Sequence, residues 1–277
     1  MKNWRDLQSI LYLGTLPGLV ILTWIRPDIS LLTYPIILVL TIGVCCISHN
    51  HAHLPIWENR WLNRLTDMWI GVLQGHPVYM FQPAHIESHH RYNQGDEDLT
   101  RVLRYASENN LLGYLKFPFQ VIPKLSRLKK YYLKNLWSEN KSDFLWVILL
   151  HVPLYILWII VLLMNPYKAL VFIFIPQIIG LHFLLASNYL QHAHAVPQSR
   201  YNHSRNFTGF INWVWFNVGY HTAHHQYESV HWTQLPRIHK DITKHINPQL
   251  NESSLISYVL TSLVLGSVVK RFQSKQL

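Results

Sequence analysis

Cysteine is almost missing from this chain of 277 residues. The two that occur, Cys45 and Cys46, are neighbours inside an apolar stretch. They read as free core thiols, which excludes a disulfide framework and a cysteine-based metal site. Carboxylates are scarce too, with 14 Asp+Glu against 24 Lys+Arg and a formal net charge of +10. The basic residues are segregated between long apolar stretches, as in a membrane protein, so the excess charge does not call for a nucleic-acid partner. There is no internal repeat beyond two apolar hairpins, no low-complexity tract, and no H-E-x-x-H signature of a zinc protease.

What is present is apolar: 49% of the residues are hydrophobic, with 11 Trp, 15 Tyr and 11 Phe. Four stretches approach the roughly 20 residues that cross a bilayer's hydrocarbon core. They run over about 7–25, 31–48, 144–164 and 168–190. Arg26-Pro27-Asp28-Ile29-Ser30 separates the first two and Asn165-Pro166-Tyr167 the last two, so each pair reads as a helical hairpin with proline at the turn. The segment between the hairpins is rich in Lys and Arg, including Arg60, Arg64, Arg91, Lys124, Arg127 and Lys134. By the positive-inside rule it faces the cytoplasm, together with the N-terminus and the region after Leu190.

No convincing small-residue cleavage site follows the first apolar stretch, which reads as an uncleaved span. Asp67–Phe81, Phe207–Tyr220 and Leu255–Val269 read as interfacial segments, and Lys124–Lys141 as a helix that is either solvated or resting on anionic headgroups or an acidic carrier protein. The expected architecture is an all-α integral membrane domain covering 1–277. Four transmembrane helices form two hairpins, and a cytoplasmic helical cap, within 49–143 and 191–277, carries the histidines described next.

Eighteen histidines occur, and most gather into clusters. His49-Asn50-His51-Ala52-His53 closes the second span; if the helix continues, His49 and His53 share a face. In His85-Ile86-Glu87-Ser88-His89-His90 the spacing again puts His85 and His89 at i and i+4. In His221-Thr222-Ala223-His224-His225 three imidazoles converge on one face, and Asn188 and His192 repeat the four-residue spacing at the end of the fourth span. Neutral imidazole ligates divalent transition metals, each of which takes about four to six donors. His49, His53, His85, His89, His90, His192, His221, His224 and His225 are too many for one ion and suited to two. His51 and His194 sit two residues off a ligand face. His76, His151, His182, His203, His231, His239 and His245 read as non-ligands, with His203 and His231 placed to support ligands from behind.

The three patterns His49-x3-His53, His85-x3-His89-His90 and His221-x2-His224-His225 resemble the histidine boxes of the membrane fatty-acid desaturase/hydroxylase superfamily. Asn188-x3-His192 is similar to the extra ligand element that some members carry before the last box. The resemblance covers nearly the whole chain. It implies a centre of two iron ions on the cytoplasmic face, with those nine histidines and Asn188 as ligands. An external donor would reduce it, and O2 would be used to remove hydrogen from an unactivated C–H bond of a membrane lipid or acyl thioester. A second abstraction yields a double bond and oxygen rebound an alcohol, so the boxes do not choose between them; Gln94-Gly95-Asp96-Glu97-Asp98 is the more desaturase-like feature. No His-Pro-Gly-Gly haem signature is present, because Val78 follows His76-Pro77. The resemblance therefore implies a separate ferredoxin-, rubredoxin- or cytochrome-type donor with its reductase.

Two other readings are open to test. A membrane metal transporter would place its ligands mid-membrane along a path, whereas these clusters sit at span ends. Soluble-type di-iron carboxylate proteins use paired E-x-x-H motifs, which Glu87-x-x-His90 and Glu228-x-x-His231 match in spacing, but that leaves His49, His53, His85, His221, His224 and His225 without a role. The imidazole reading predicts that replacing Glu87 and Glu228 together by Gln leaves most of the metal bound, measured as metal per purified chain. Loss of all metal would favour the carboxylate reading.

Overall fold

The computed structural model describes residues 1–277. In chain order the main helices are α1 (Leu7–Ile25), α2 (Ser30–His53), α3 (Arg60–Gln74), α4 (Leu111–Glu139), α5 (Lys141–Leu149), α6 (Val152–Met164), α7 (Ile175–His192), α8 (His221–Gln226) and α9 (Leu235–Ile242). The only sheet is a parallel pair of two-residue strands, β1 (Asn206–Phe207) and β2 (Asn251–Glu252). Four helical stretches are long and apolar enough to cross a bilayer: Trp4–Ile25, Pro27–His53, Lys141–Met164 and Pro166–His192. The chain is a predominantly helical integral membrane protein, as its apolar pattern leads one to expect.

The observed spans differ from the expected ones in instructive ways. The second runs on to His53, so the first histidine box is helical, and it stops at Leu54 because Pro55 disfavours helical backbone in the residue before it. The third is broken after Leu149 and resumes at Val152. Pro153 supplies no N–H and its ring crowds the Leu149 carbonyl. The fourth begins at Pro166 and is π-wound over Leu170–Phe174.

The chain divides into two compact units, residues 1–80 with 131–184 and residues 81–130 with 185–277. In the first, apolar side chains point outward: Leu31 is 89% and Leu163 82% exposed. That is the reverse of a soluble protein and suits a lipid surround. Its inside holds small and polar residues that let helices approach. Thr23 and Thr33 hydrogen-bond side chain to side chain at 2.7 Å across the α1–α2 hairpin. Gly180 brings α7 so near α2 that a Cβ there would sit 3.0 Å from the Thr41 methyl and 3.2 Å from the Cys45 sulfur. Gln177 donates to the Val72 carbonyl at 3.0 Å, serving a group near the end of α3 that the helix itself leaves open, and accepts from Trp158 Nε1 at 3.1 Å.

The second unit is built on two apolar cores. Around Tyr189 gather Phe117 and Val121 from α4, Phe207 from β1, and Tyr258 and Leu263. Ala195, Ala223, Leu235, Ile242, Ile246 and Leu250 form the other. Tyr189 is fully buried, and its hydroxyl donates to the Glu108 carbonyl at 2.6 Å and accepts from Asn110 N at 3.0 Å, holding the entry to α4 against the end of α7. Leu255–Ser267 is helical and apolar but shorter than the four spans. Phe210 and Trp213, within the stretch expected to be interfacial, are 75% and 73% exposed.

Gly75 ends α3 at φ +76°, where an added Cβ would meet Gln177 at 2.5 Å. Gly75→Ala is expected to cost at least about 1–2 kcal/mol from the left-handed backbone alone. Gly14→Ala, in a helix with nothing within 4 Å of the new Cβ, should be neutral or stabilising by about 0.5–1 kcal/mol. Thermal unfolding in detergent compares the two.

Candidate metal centre

The second box lies on a π-wound turn, Gln82–His90. The expected i, i+4 pairing of His85 with His89 does not hold there. The wider π turn, with i to i+5 hydrogen bonding, brings His85 and His90 together instead, their Nε2 atoms 3.1 Å apart. His89 turns to a different set of partners. The third box, on α8, divides in the same manner rather than presenting one convergent face. His221 and His225 pair one helical turn apart, Nε2 to Nε2 at 3.1 Å. His224 lies off that line and faces His90 at 3.0 Å, Nε2 to Nε2.

The outcome inside the second unit is two adjoining groups of imidazoles. His85, His90 and His224 form one. His89, His192, His221 and His225 form the other, their ligand atoms all within 4.8 Å of one another. His192 reaches His221 from the end of α7, Nε2 to Nε2 at 3.0 Å. The groups meet where the His90 and His225 rings stack at 4.2 Å. In the first unit, His49 and His53 sit one turn apart at the end of α2, their ring centroids 5.1 Å apart.

Three of these rings are held by their other nitrogen. His89 Nδ1 faces Asp98 Oδ2 at 3.0 Å, His192 Nδ1 donates to the His203 carbonyl at 2.7 Å, and His90 Nδ1 lies 3.2 Å from Glu228 Oε2. An Nδ1–H held in this way leaves the Nε2 lone pair for a metal and fixes the ring's direction. Two donors at right angles on bonds of about 2.1 Å lie about 3.0 Å apart, which is the Nε2 spacing found here. The residues fit a metal.

Asp98 is wholly buried and saturated. Beside His89 it accepts from Gln94 N at 3.0 Å and from the Thr100 backbone and hydroxyl, both at 2.8 Å. Burial by itself would raise its pKa, but His89 and these hydrogen bonds outweigh that and bring the carboxyl down to about 2. Burial, reinforced by neighbouring imidazoles, pushes His221 and His225 well below the usual histidine range and keeps them neutral, the form that ligates.

A strap of chain after α7 aligns the elements. Arg205 N donates to the Gln191 carbonyl at 2.6 Å, and Asn206 accepts from Thr222 N at 2.9 Å, tying α7 to α8. Gly219 lets the strap pass: a Cβ there would lie 2.1 Å from the Phe207 carbonyl oxygen. Of this strap only His203 was singled out from sequence, as a support for ligands, and Asp98 only as the last residue of Gln94-Gly95-Asp96-Glu97-Asp98. Asp98 is one acid among Asp96, Glu97 and Asp98, and nothing in the spacing marks it.

The other expected residues are placed as follows. Asn188 donates to the Thr100 carbonyl at 2.7 Å and lies 3.5 Å from Gln94 Nε2, so its amide holds the loop that carries Asp98. His51 accepts from Ile56 N at 3.1 Å, and His194 Nδ1 lies 2.9 Å from the Ser274 carbonyl. His231 Nδ1 lies 2.7 Å from the Thr233 hydroxyl. Glu87 is exposed and bonded to Gln82 at 3.3 Å, so the paired E-x-x-H reading lacks one of its two carboxylates, the other, Glu228, lying against His90 Nδ1.

Comparison with known proteins gives the class to which apolar helices and clustered histidines of this kind belong, the desaturases of lipids. The fatty acid desaturase family matches residues 29–252, and the chain belongs to that family. Among similar proteins, the sphingolipid delta(4)-desaturase DES1 of Drosophila melanogaster is 27% identical over 237 residues, 83% of this chain and 70% of that protein. The sphingolipid delta(4)-desaturase/C4-monooxygenase DES2 of Rattus norvegicus is 26% identical over 215 residues, 72% of this chain and 60% of that protein. No solved structure matches.

Asp98→Asn is expected to lower metal affinity by about 10- to 100-fold, because the amide disturbs the His89 tautomer; chelator competition measures it. In the metal-free protein, His221 and His225 have folded pKa values below the unfolded 6.5. The unfolded chain therefore takes up protons first, so this stability is complete above about pH 6.5 and falls as the pH drops below it. Melting temperatures from pH 7.5 to 5 should show the decline, and a flat profile would contradict it.

Proposed function

We propose that the chain is an O2-dependent di-iron enzyme that desaturates a lipid acyl-type chain. The observation that carries the reading is the pair of adjoining imidazole groups, joined where His90 stacks on His225. We assign to one iron His89, His192, His221 and His225, and to the other His85, His90 and His224. His49 and His53 complete the set by the box pattern, and Asn188 is the amide donor the resemblance adds. An imidazole-rich set of this size suits divalent iron.

The chemistry that two reduced irons held there would supply is activation of O2 and cleavage of a C–H bond. What the chain's own residues contribute is orientation and polarity. Asp98 holds the His89 Nδ1 proton, Glu228 faces His90, and the His203 carbonyl fixes His192. Their rings thus stay in place as charge on the centre changes. Burial keeps bulk water from His89, His192 and His221, which would limit side reactions at a centre held there. Electrons come from a separate ferredoxin-, rubredoxin- or cytochrome-type protein with its reductase. The histidine boxes and both termini face the cytoplasm, following the basic residues of 49–143.

Hydroxylation is the second reading, favoured by a specific observation: one similar protein is named both a desaturase and a C4-monooxygenase. The relatives' names also put the long chain of a sphingolipid among the first substrates to try.

The test is mass spectrometry of total lipids, acyl thioesters and sphingolipids from cells expressing the chain, beside His89→Ala. New double bonds absent from the His89→Ala cells support desaturation, and new hydroxyl groups move the assignment to hydroxylation. A folded, iron-loaded and reducible chain that alters no lipid would overturn the proposal.

A further inference from the structure

The second unit carries large apolar side chains on its outside as well as in its core. In the first half of α4, Tyr114, Phe117 and Val121 pack into the core around Tyr189. On the other side of the same turns Leu112, Leu115 and Phe119 are exposed, Phe119 by 70%. From Leu111 to Ile122 the one charge is Lys116. A helix that is apolar all round needs apolar surroundings on both sides. The Leu255–Ser267 helix repeats the pattern: Tyr258 and Leu263 join that core, while Ile256, Leu260 and Val264 are exposed. The two helices are tied where Leu111 N donates to the Ser267 hydroxyl at 3.2 Å. A third element adds to the face. The turn with exposed Phe210 and Trp213 packs Ile211 on the same core, and its Gly209 passes so near the start of the last helix that a Cβ would collide with the Ser253 carbonyl oxygen. Beneath all three lie Leu190 and Ala193, which bracket His192 at the end of α7.

The charges say what covers this face. Residues 111–130 and 253–277 hold Lys and Arg, among them Lys116, Lys124, Arg127, Lys270 and Arg271, and not one Asp or Glu; residues 208–219 carry no charge at all. A second copy of the chain would set positive charge against positive charge, whereas anionic headgroups complement it. Leu255–Ser267 is too short to cross a bilayer, and Trp favours the level of the headgroups. We propose that the second unit is seated in the membrane surface through this single face, with its apolar side chains in the acyl boundary and its bases on anionic phospholipid. The seat is a lipid-binding surface separate from the four spans. It holds the unit that carries the imidazole groups at the lipid surface, with the last turn of α7 behind it.

The experiment uses the full-length chain in lipid nanodiscs, with a nitroxide attached to Phe119→Cys, Phe210→Cys or Leu260→Cys. Three positions on three elements guard against one substitution that fails to fold. Cys45 and Cys46 are buried, and the unsubstituted chain is the labelling blank. Leu31→Cys, on the outside of the first unit, is the reference for lipid, and Lys240→Cys, exposed on α9, the reference for water. Relaxation by O2, which concentrates among acyl chains, is compared with relaxation by a water-soluble nickel chelate. All three positions are expected to give an O2-to-nickel ratio about tenfold above that of Lys240→Cys, as for side chains roughly 5–10 Å into the headgroup boundary. A water-like ratio at any of them, or protection from both reagents as in a contact between proteins, would overturn the seat. Spin-labelled phosphatidylglycerol should be retained beside the chain about twofold more strongly than phosphatidylcholine. That preference should fall when Lys116, Lys124, Lys270 and Arg271 are replaced together by Gln. Equal retention in the parent, or a preference that survives the replacement, would overturn the anionic part. No metal need be bound and no lipid altered, so the result stands or falls apart from the enzymatic reading.

Discussion

Imidazoles packed with their nitrogen lone pairs facing one another repel unless a cation or a proton lies between them, and the second unit spends much of its polar structure on keeping seven of them in that position. Nδ1 of His89, of His192 and of His90 each has a partner turned away from the group: a buried carboxylate, a backbone carbonyl and a half-exposed carboxylate. Take those partners away and each ring is free to rotate, to change tautomer or to protonate. A metal binds tightly only to donors that need little rearrangement, so the chemistry assigned to the site depends on these outer hydrogen bonds as much as on the ligands.

The same constraint explains the local backbone. Two metal positions side by side need neighbouring residues to serve different ions, and both helical boxes divide accordingly. On α8 the ordinary turn sends His221 and His225 one way and His224 another. On Gln82–His90 the π winding adds a residue per turn and joins His85 to His90, freeing His89 for the buried group. π turns are rare and occur frequently at functional sites. The strap 203–206 plays the corresponding part for α7 and α8, binding Gln191 on one side and Thr222 on the other.

The first unit answers a different requirement. Large apolar residues face outward, and close approach depends on Gly180, the threonine pair and Gln177. Among lipid tails, apolar side chains gain little from meeting one another, so shape and interhelical hydrogen bonds hold the helices. Buried Cys45 and Cys46 fit as small, soft packing groups.

The family, the four spans and the identity of the clustered histidines were all legible from sequence, because each is written in local pattern: the length of an apolar run against the thickness of a bilayer, proline at turns, and imidazoles a few residues apart. The break before Pro153 was legible in principle, since proline cannot continue a hydrogen-bonded turn. Which histidine works with which was not. That depended on π winding in place of α winding, on Asp98 rather than its neighbours Asp96 and Glu97, and on a strap that brings His203 beside residues more than twenty positions away in the chain. Spacing along a helix states which side chains share a face only when the winding is known, and partners brought together by folding leave no periodic trace in the order of residues; those matters were decided by the tertiary structure alone.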